Sequence, residues 1–194
     1  MIKLSCNELL KLPKNIFKGK VICFPTDTVY GVGTLFEDEQ TVKRIIEMKN
    51  RNINKPLAVL SPNIESIIPL IEWPSKTVWK IMREHWPGAL TIIFSKQPGY
   101  EYITKDLNTI AFRIPNSKVS MKILNYLGPL ATTSVNLSGS EPLNSIEEIE
   151  HNFFDQIDYL ITDVENQSHV SSTIIDVSTG IINIVRQGDI KINV

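Results

Sequence analysis

Apolar residues along this chain fall into short runs of two kinds. Runs rich in Ile, Val and Thr, bounded by Pro, Gly or polar residues, occupy 21–24, 57–61, 89–95, 109–114, 129–133, 158–162, 172–177 and 181–186, as buried or half-buried strands do. Between several of them apolar residues recur at helical spacing. The clearest case spans Glu39 to Met48, where Val42, Ile45, Ile46 and Met48 form one stripe, Lys43, Arg44 and Glu47 face outward, and Asp38 is placed to cap the first turn. Similar patterns predict helices over 63–70, 75–84, 117–127 and 145–153, the last opening at Asn144-Ser145 with acids in its first turn. The alternation is not strict: 89–95 to 109–114 and 172–177 to 181–186 read as strand-to-strand connections, the second through Ser178-Thr179-Gly180. The expected fold is α/β of the α+β type, a mixed parallel and antiparallel twisted sheet flanked by helices.

Composition narrows the class. The 194 residues are 42% hydrophobic and 21% charged, ordinary for a globular domain, and no linker, like-charge block or repeat divides them, so one domain over 1–194 is expected. Cys6 and Cys23 stand 17 residues apart and His85, His151 and His169 are scattered singly, which gives neither zinc spacing nor a disulfide framework. The N-terminus mixes Glu8, Lys11 and Lys14 into its apolar pieces, unlike an export signal, and no uncharged apolar stretch reaches the ~18 residues of a membrane helix. A cytoplasmic protein without membrane contact is expected. The formal net charge of −1 argues against coating nucleic acid through bulk charge, so any polyanion site must be a local concentration of cations.

Five segments hold candidate chemistry. A strand from Lys20 breaks at Pro25 into Thr26-Asp27-Thr28-Val29-Tyr30-Gly31-Val32-Gly33, a hydroxyl-rich turn that either presents backbone N–H groups and Thr hydroxyls to a small polar ligand or caps itself locally. Lys49, Arg51 and Lys55 crowd one loop after the 39–48 helix, and Lys and Arg together suit a polyphosphate or RNA phosphates; for Lys49 a solvated charge at the helix C-terminus is the competing reading. Arg113 lies in the apolar strand Thr109-Ile110-Ala111-Phe112-Arg113 and needs a partner, either a ligand carboxylate or one of the chain's own acids. The strand ending in Thr132-Thr133-Ser134-Val135-Asn136 offers hydroxyl and amide groups that bond a ligand or close a turn. Ser171-Ser172-Thr173 and Val185-Arg186-Gln187-Gly188 form the fifth, again a polar strand start and an Arg beside a glycine.

Taken in order over residues 20 to 189, PTDTVYGVG, KNR with KPL, HWPGALT, TIAFRIP, TSVNLSG, and STIIDV with IVRQG resemble the YrdC-type family of L-threonylcarbamoyladenylate synthases in its short, single-domain form. The resemblance implies a YrdC-like fold with a concave basic cavity. It implies condensation of L-threonine, bicarbonate or CO2, and ATP to threonylcarbamoyl-AMP and pyrophosphate, for the threonylcarbamoyladenosine modification of tRNA. It carries threonine binding to Thr28, Arg113, Ser134 and Ser172, and ATP binding to Lys49, Arg51, Lys55, Thr109, Asn136, Asn144 and Arg186, with Lys49 and Arg51 catalytic. Asn144 stands where relatives more usually have a hydroxyl residue, and Leu60 where some have a histidine. Mg²⁺ is expected to enter with ATP, with no protein ligand for a metal and no organic cofactor. The product is expected to pass to a tRNA threonylcarbamoyl-transferase complex. A non-enzymatic RNA-binding protein using the same cavity is the main alternative, supported by Lys43, Arg44, Lys49, Arg51 and Lys55; a carbamoyl-adenylate domain of the hydrogenase-maturation type is another. Trp73, Trp79 and Trp86 are expected to serve packing, His85 structure, and Cys23 a place as a small hydrophobe.

Overall fold

The computed structural model describes residues 1–49, 56–104 and 107–192. In chain order the elements are β1 (Ile2–Leu4), α1 (Cys6–Leu9), β2 (Ile22–Phe24), β3 (Gly31–Leu35), α2 (Glu39–Met48), β4 (Ala58–Leu60), α3 (Lys76–His85), β5 (Leu90–Ser95), α4 (Glu101–Thr104), β6 (Thr109–Arg113), α5 (Lys118–Leu127), β7 (Leu130–Ser134), α6 (Ile146–Phe153), β8 (Tyr159–Ile161), β9 (Thr173–Asp176) and β10 (Asn183–Arg186). The strands join one sheet in the order β1-β8-β2-β3-β7-β4-β6-β5-β9-β10. Pairing is parallel for β1/β8, β2/β8, β4/β6 and β5/β9 and antiparallel elsewhere, the mixed sheet expected from the sequence.

The helices begin where short polar side chains satisfy otherwise unpaired N–H groups. Asp38, Ser75, Ser117 and Ser145 accept from the backbone of Thr41, Val78, Ser120 and Glu148 at the starts of α2, α3, α5 and α6. One sheet face is a continuous core. Val32, Ala131, Val59, Phe112, Ile92 and Ile175 are buried there beneath α2, α3 and α6, through Val42, Ile45, Val78, Met82, Ile149 and Phe153. Because side chains alternate along a strand, the neighbouring positions all point to the opposite face. Over β8 and β2 that face is also apolar, with Tyr159, Ile161, Ile22 and Phe24 packed under α1 and α5 in a second core that reaches Leu60 and Leu130.

Several expectations need correction. Residues 63–70 form only a 3₁₀ turn at Ile68–Leu70. Asn63 Oδ1 accepts from the Ser66 N–H and the Ser61 and Ser66 hydroxyls bond each other, local bonds that compete with helix formation. The 89–95 to 109–114 connection carries α4 rather than running strand to strand. β1 and β3 fall outside the strands that the apolar pattern predicts. The reason β3 escaped is its glycines. A Cβ on Gly33 would meet Thr132 Oγ1 at 2.6 Å and the Ala131 carbonyl at 2.9 Å, so this strand omits side chains to lie close to β7. Gly33→Ala is expected to destabilise the fold by about 1–3 kcal/mol, as overpacking does, measured as a shift in the urea midpoint. Among the described residues no helix is long and apolar enough to cross a membrane.

Candidate functional site

The register decides where chemistry sits. Beyond the cover of α5, the sheet face opposite the main core carries small and polar residues. Gly31 and Gly33 of β3 pair with Ser134 and Thr132 of β7; Thr132 pairs with Ala58 of β4, and Ala58 with Ala111 of β6. Thr109 and Ala111 of β6 then pair with Ser95 and Ile93 of β5, and Ile93 with Asp176 of β9. Ala58, Thr109, Ala111, Ile93, Ser95 and Ser134 are only half-buried. This face is short of large side chains and, among the described residues, no helix packs over it, so its backbone and hydroxyls are accessible to a ligand.

Arg113, at the end of β6, anchors this face. It is 6% exposed. Its Nε donates to the Gly88 carbonyl at 3.0 Å, Nη1 to Thr28 Oγ1 at 2.8 Å and Nη2 to Asp27 Oδ1 at 2.5 Å. Of the two partners left open by the sequence, the described structure provides an internal acid, Asp27. Burial pulls the Arg113 pKa down, the Asp27 charge opposes that, and Arg186 adds to the lowering. A guanidinium has five N–H groups, so these three bonds leave one on each terminal nitrogen. Donors left on the terminal nitrogens are groups that a ligand carboxylate accepts from.

The loop that brings Thr28 and Asp27 to Arg113 is held from both sides. Thr26 Oγ1 donates to the Val29 carbonyl and accepts from the Thr28 N–H. Ser120 Oγ of α5 donates to the Pro25 carbonyl, while Ser168 and His169 donate their N–H groups to the carbonyls of Asp27 and Thr28. The turn does cap itself locally, and it also delivers a buried threonine and an acid to the arginine.

A second cluster gathers at the far end of β7. Lys49 at the C-cap of α2 is 1% exposed, which excludes a solvated charge, and its Nζ donates to the Ser134 carbonyl and, at 2.8 Å, to Asn136 Oδ1. Ser134 Oγ donates to the same Asn136 oxygen at 2.7 Å. Asn136 Nδ2 in turn bonds the carbonyls of Leu137 and Ser140. Asn144 lies farther along this loop. Its Nδ2 bonds the Pro142 carbonyl, and its buried Oδ1 has no partner among the described residues.

A third cluster lies along β9 and β10. Arg186 donates from Nε to the Ser172 carbonyl at 3.0 Å and from Nη2 to Ser172 Oγ at 3.2 Å, and burial pulls its pKa down. Thr91 Oγ1 stands 2.8 Å from Ser172 Oγ. Thr109 shares the open face by register but makes no side-chain bond to these groups among the described residues, while Arg51 and Lys55 lie outside them. Asp27 and Thr91 are the two participants that motif reading passed over. An acid within two residues of a ligand-type Thr was the available signal for Asp27; only the β5/β9 register reveals Thr91.

Trp86 is buried and bonds the Leu90 carbonyl through its indole N–H, whereas Trp73 is 76% exposed, so the packing role expected for all three tryptophans fails for Trp73. Cys23 is fully buried in β2 and its thiol pKa is driven up by desolvation, as a small hydrophobe requires. Of the cations offered for RNA, Lys43 pairs with Glu39, Arg44 with Asp158, and Lys49 faces inward. Among the described residues no group of three or more His, Cys, Asp or Glu is arranged to hold a metal.

Residues 14–188 match the model of the Sua5/YciO/YrdC family, described as "Telomere recombination". The chain is 33% identical over 165 residues to the threonylcarbamoyl-AMP synthase of Pyrococcus abyssi, covering 84% of this chain and 48% of that protein. It is 28% identical over 179 residues to the threonylcarbamoyl-AMP synthase of Vibrio campbellii, covering 90% and 96%. The fold superposes on that of P. abyssi Sua5 in complex with L-threonine with a TM-score of 0.88 at 28% identity, over 97% of this chain and 58% of that one. This chain thus spans about half the length of its Pyrococcus relative.

Proposed function

We propose that this chain, which belongs to the Sua5/YciO/YrdC family, is an L-threonylcarbamoyladenylate synthase, a nucleotidyltransferase acting on L-threonine, bicarbonate or CO2, and ATP. The observation that carries the reading is Arg113, buried and oriented by Gly88, Thr28 and Asp27, with a donor left on each terminal nitrogen over a face of small and polar residues. An α-carboxylate accepted there would fix the amine of threonine relative to the rest of the site, which is the positioning an amide-forming step needs. Thr28, Ser134 and Ser172 are its proposed further contacts.

In the proposed reaction the threonine amine forms an N–C bond to CO2 with loss of a proton, or to bicarbonate with loss of water, giving a carbamate. Its carboxylate attacks the α-phosphorus of ATP, and pyrophosphate leaves. Negative charge shifts onto the leaving phosphates, so preorganised cations and N–H or O–H donors supply most of the help a protein can give. Lys49 and Arg51 are the proposed catalytic cations, and Lys55, Thr109, Asn136, Asn144 and Arg186 the further nucleotide contacts. The described donors here are cationic or neutral, a set that suits phosphate oxygens rather than a divalent ion. Mg²⁺ would therefore arrive on the ATP phosphates with its own waters and neutralise their charge. The proposal includes a cytoplasmic setting, one domain over residues 1–194, and delivery of the adenylate to a tRNA threonylcarbamoyl-transferase complex. RNA binding through the same face is not favoured, because Lys43 and Arg44 are engaged by acids.

The test is pyrophosphate release from ATP, Mg²⁺ and bicarbonate with L-threonine present or omitted, with mass detection of the adenylate. Threonine-dependent release with that product is expected. Absence of release by folded, ATP-binding protein would overturn the assignment.

A further inference from the structure

On the side of the molecule away from the open sheet face, α3 buries Val78, Ile81 and Met82 in the main core and turns its other side to solvent. Trp73, just ahead of this helix, is 76% exposed. Its ring lies 5.6 Å from that of Trp79, which packs partly on the core and so is fixed in place. The Arg83 guanidinium stands 5.7 Å from the Trp79 ring. Lys76, Lys80 and Arg83 fall at i, i+4 and i+7, one row along the helix, rising about 6 and 4.5 Å per step. With the two tryptophans and Glu84 they line an open depression of about 780 Å³. Trp73 also walls a second groove of about 500 Å³ that passes the end of β5, touching the open face only at its edge residue Ser95, and continues to Ser178 and Ile181, so the indole stands between two hollows.

Neither packing nor charge balance within the chain explains this patch. An indole left in water forgoes most of the burial that tryptophan ordinarily gains. Lys76 and Arg83 form no salt bridge among the described residues, and Lys80 meets Glu84 only at 3.7 Å with both side chains exposed. Three cations beside one acid form a local positive surface on a chain of net charge −1.

We propose that the Trp73/Trp79 pair and the Lys76-Lys80-Arg83 row form a docking surface for single-stranded RNA, separate from the open sheet face. A flat exposed ring offers a stacking surface to an unpaired base, and a row of cations along the helix follows the phosphates. A duplex keeps its bases stacked on one another and offers none to Trp73. An acidic peptide would answer the cations but leave the indole without a planar partner, so the aromatic pair favours nucleic acid.

The experiment is fluorescence anisotropy with a short labelled oligoadenylate, titrated at several salt concentrations against wild type, Trp73→Ala and Lys76→Ala, with a polyglutamate peptide and the matched duplex as competitors. Trp73→Ala, a surface change that leaves the core intact, is expected to weaken binding about 5- to 100-fold with an unchanged salt slope. Lys76→Ala is expected to lower the slope of log K against log salt by about 0.7. Threonine-dependent pyrophosphate release should be unaltered in both variants. Oligoadenylate binding equal in Trp73→Ala and wild type would overturn the proposal, as would displacement by polyglutamate or duplex as effective as by unlabelled oligoadenylate.

Discussion

Arg113→Ala is expected to raise the threonine concentration for half-maximal pyrophosphate release by at least about 30-fold, with the ATP requirement much less affected. Truncating one member of a buried, hydrogen-bonded charge pair removes about 2–5 kcal/mol, which sets that scale. The structure adds a complication, because the Arg113 and Asp27 side chains are only 7% and 13% exposed and Asp27 loses its counter-ion in the variant. Some of the loss could then come from a disturbed turn rather than from the missing grip on substrate. Asp27→Asn combined with Arg113→Ala separates the two. The double variant leaves no uncompensated carboxylate, so its thermal stability should recover toward wild type while its threonine requirement stays high. Recovery of both would assign Arg113 to an internal salt bridge and remove it from the threonine site.

The interplay of Arg113 and Asp27 illustrates what could be read from the chain and what could not. An arginine in an apolar strand announces a need for a partner by its physics alone. Which partner it meets depends on a turn 86 positions away in sequence, and nothing local to TIAFRIP encodes that approach. The same division holds for the fold. The core strands were legible from their Ile-, Val- and Thr-rich runs, and the helices α2, α3, α5 and α6 because they pair an apolar period with a capping residue. β3 was not, because Gly31 and Gly33 are chosen for close approach to Thr132 and so erase the propensity a strand normally shows. The 63–70 segment had an apolar period, yet Asn63, Ser61 and Ser66 offered the backbone and one another better local bonds. Exposure was the least legible property: nothing in the sequence marks Trp73 as open and Trp86 as buried, since Trp86 meets Phe94 of the sheet while Trp73 meets only the half-buried Trp79 among the aromatic rings described.

Lys49 supports the second large effect. A lysine at a helix C-terminus is ordinarily explained by the dipole, but a side chain 1% exposed, bonded to Ser134 and Asn136, is held there by specific partners and not by a solvated field. Lys49→Met keeps most of the aliphatic stem, and Asn136 Oδ1 retains its bond from Ser134 Oγ, so the fold should survive. The Ser134 carbonyl loses its Lys49 donor, so a stability loss of about 1–3 kcal/mol is expected. Turnover of the folded variant should fall about 10²- to 10³-fold, the usual consequence of deleting one preorganised donor to developing charge. Lys49→Arg should restore little of it, because a planar guanidinium does not fit the place of a compact ammonium packed against two fixed oxygens. The readout is pyrophosphate release at saturating threonine and ATP, beside a urea melt. A variant that melts earlier but turns over at the wild-type rate would make Lys49 a strut between α2 and β7; a folded variant that hardly turns over would make it the charge that the phosphates meet.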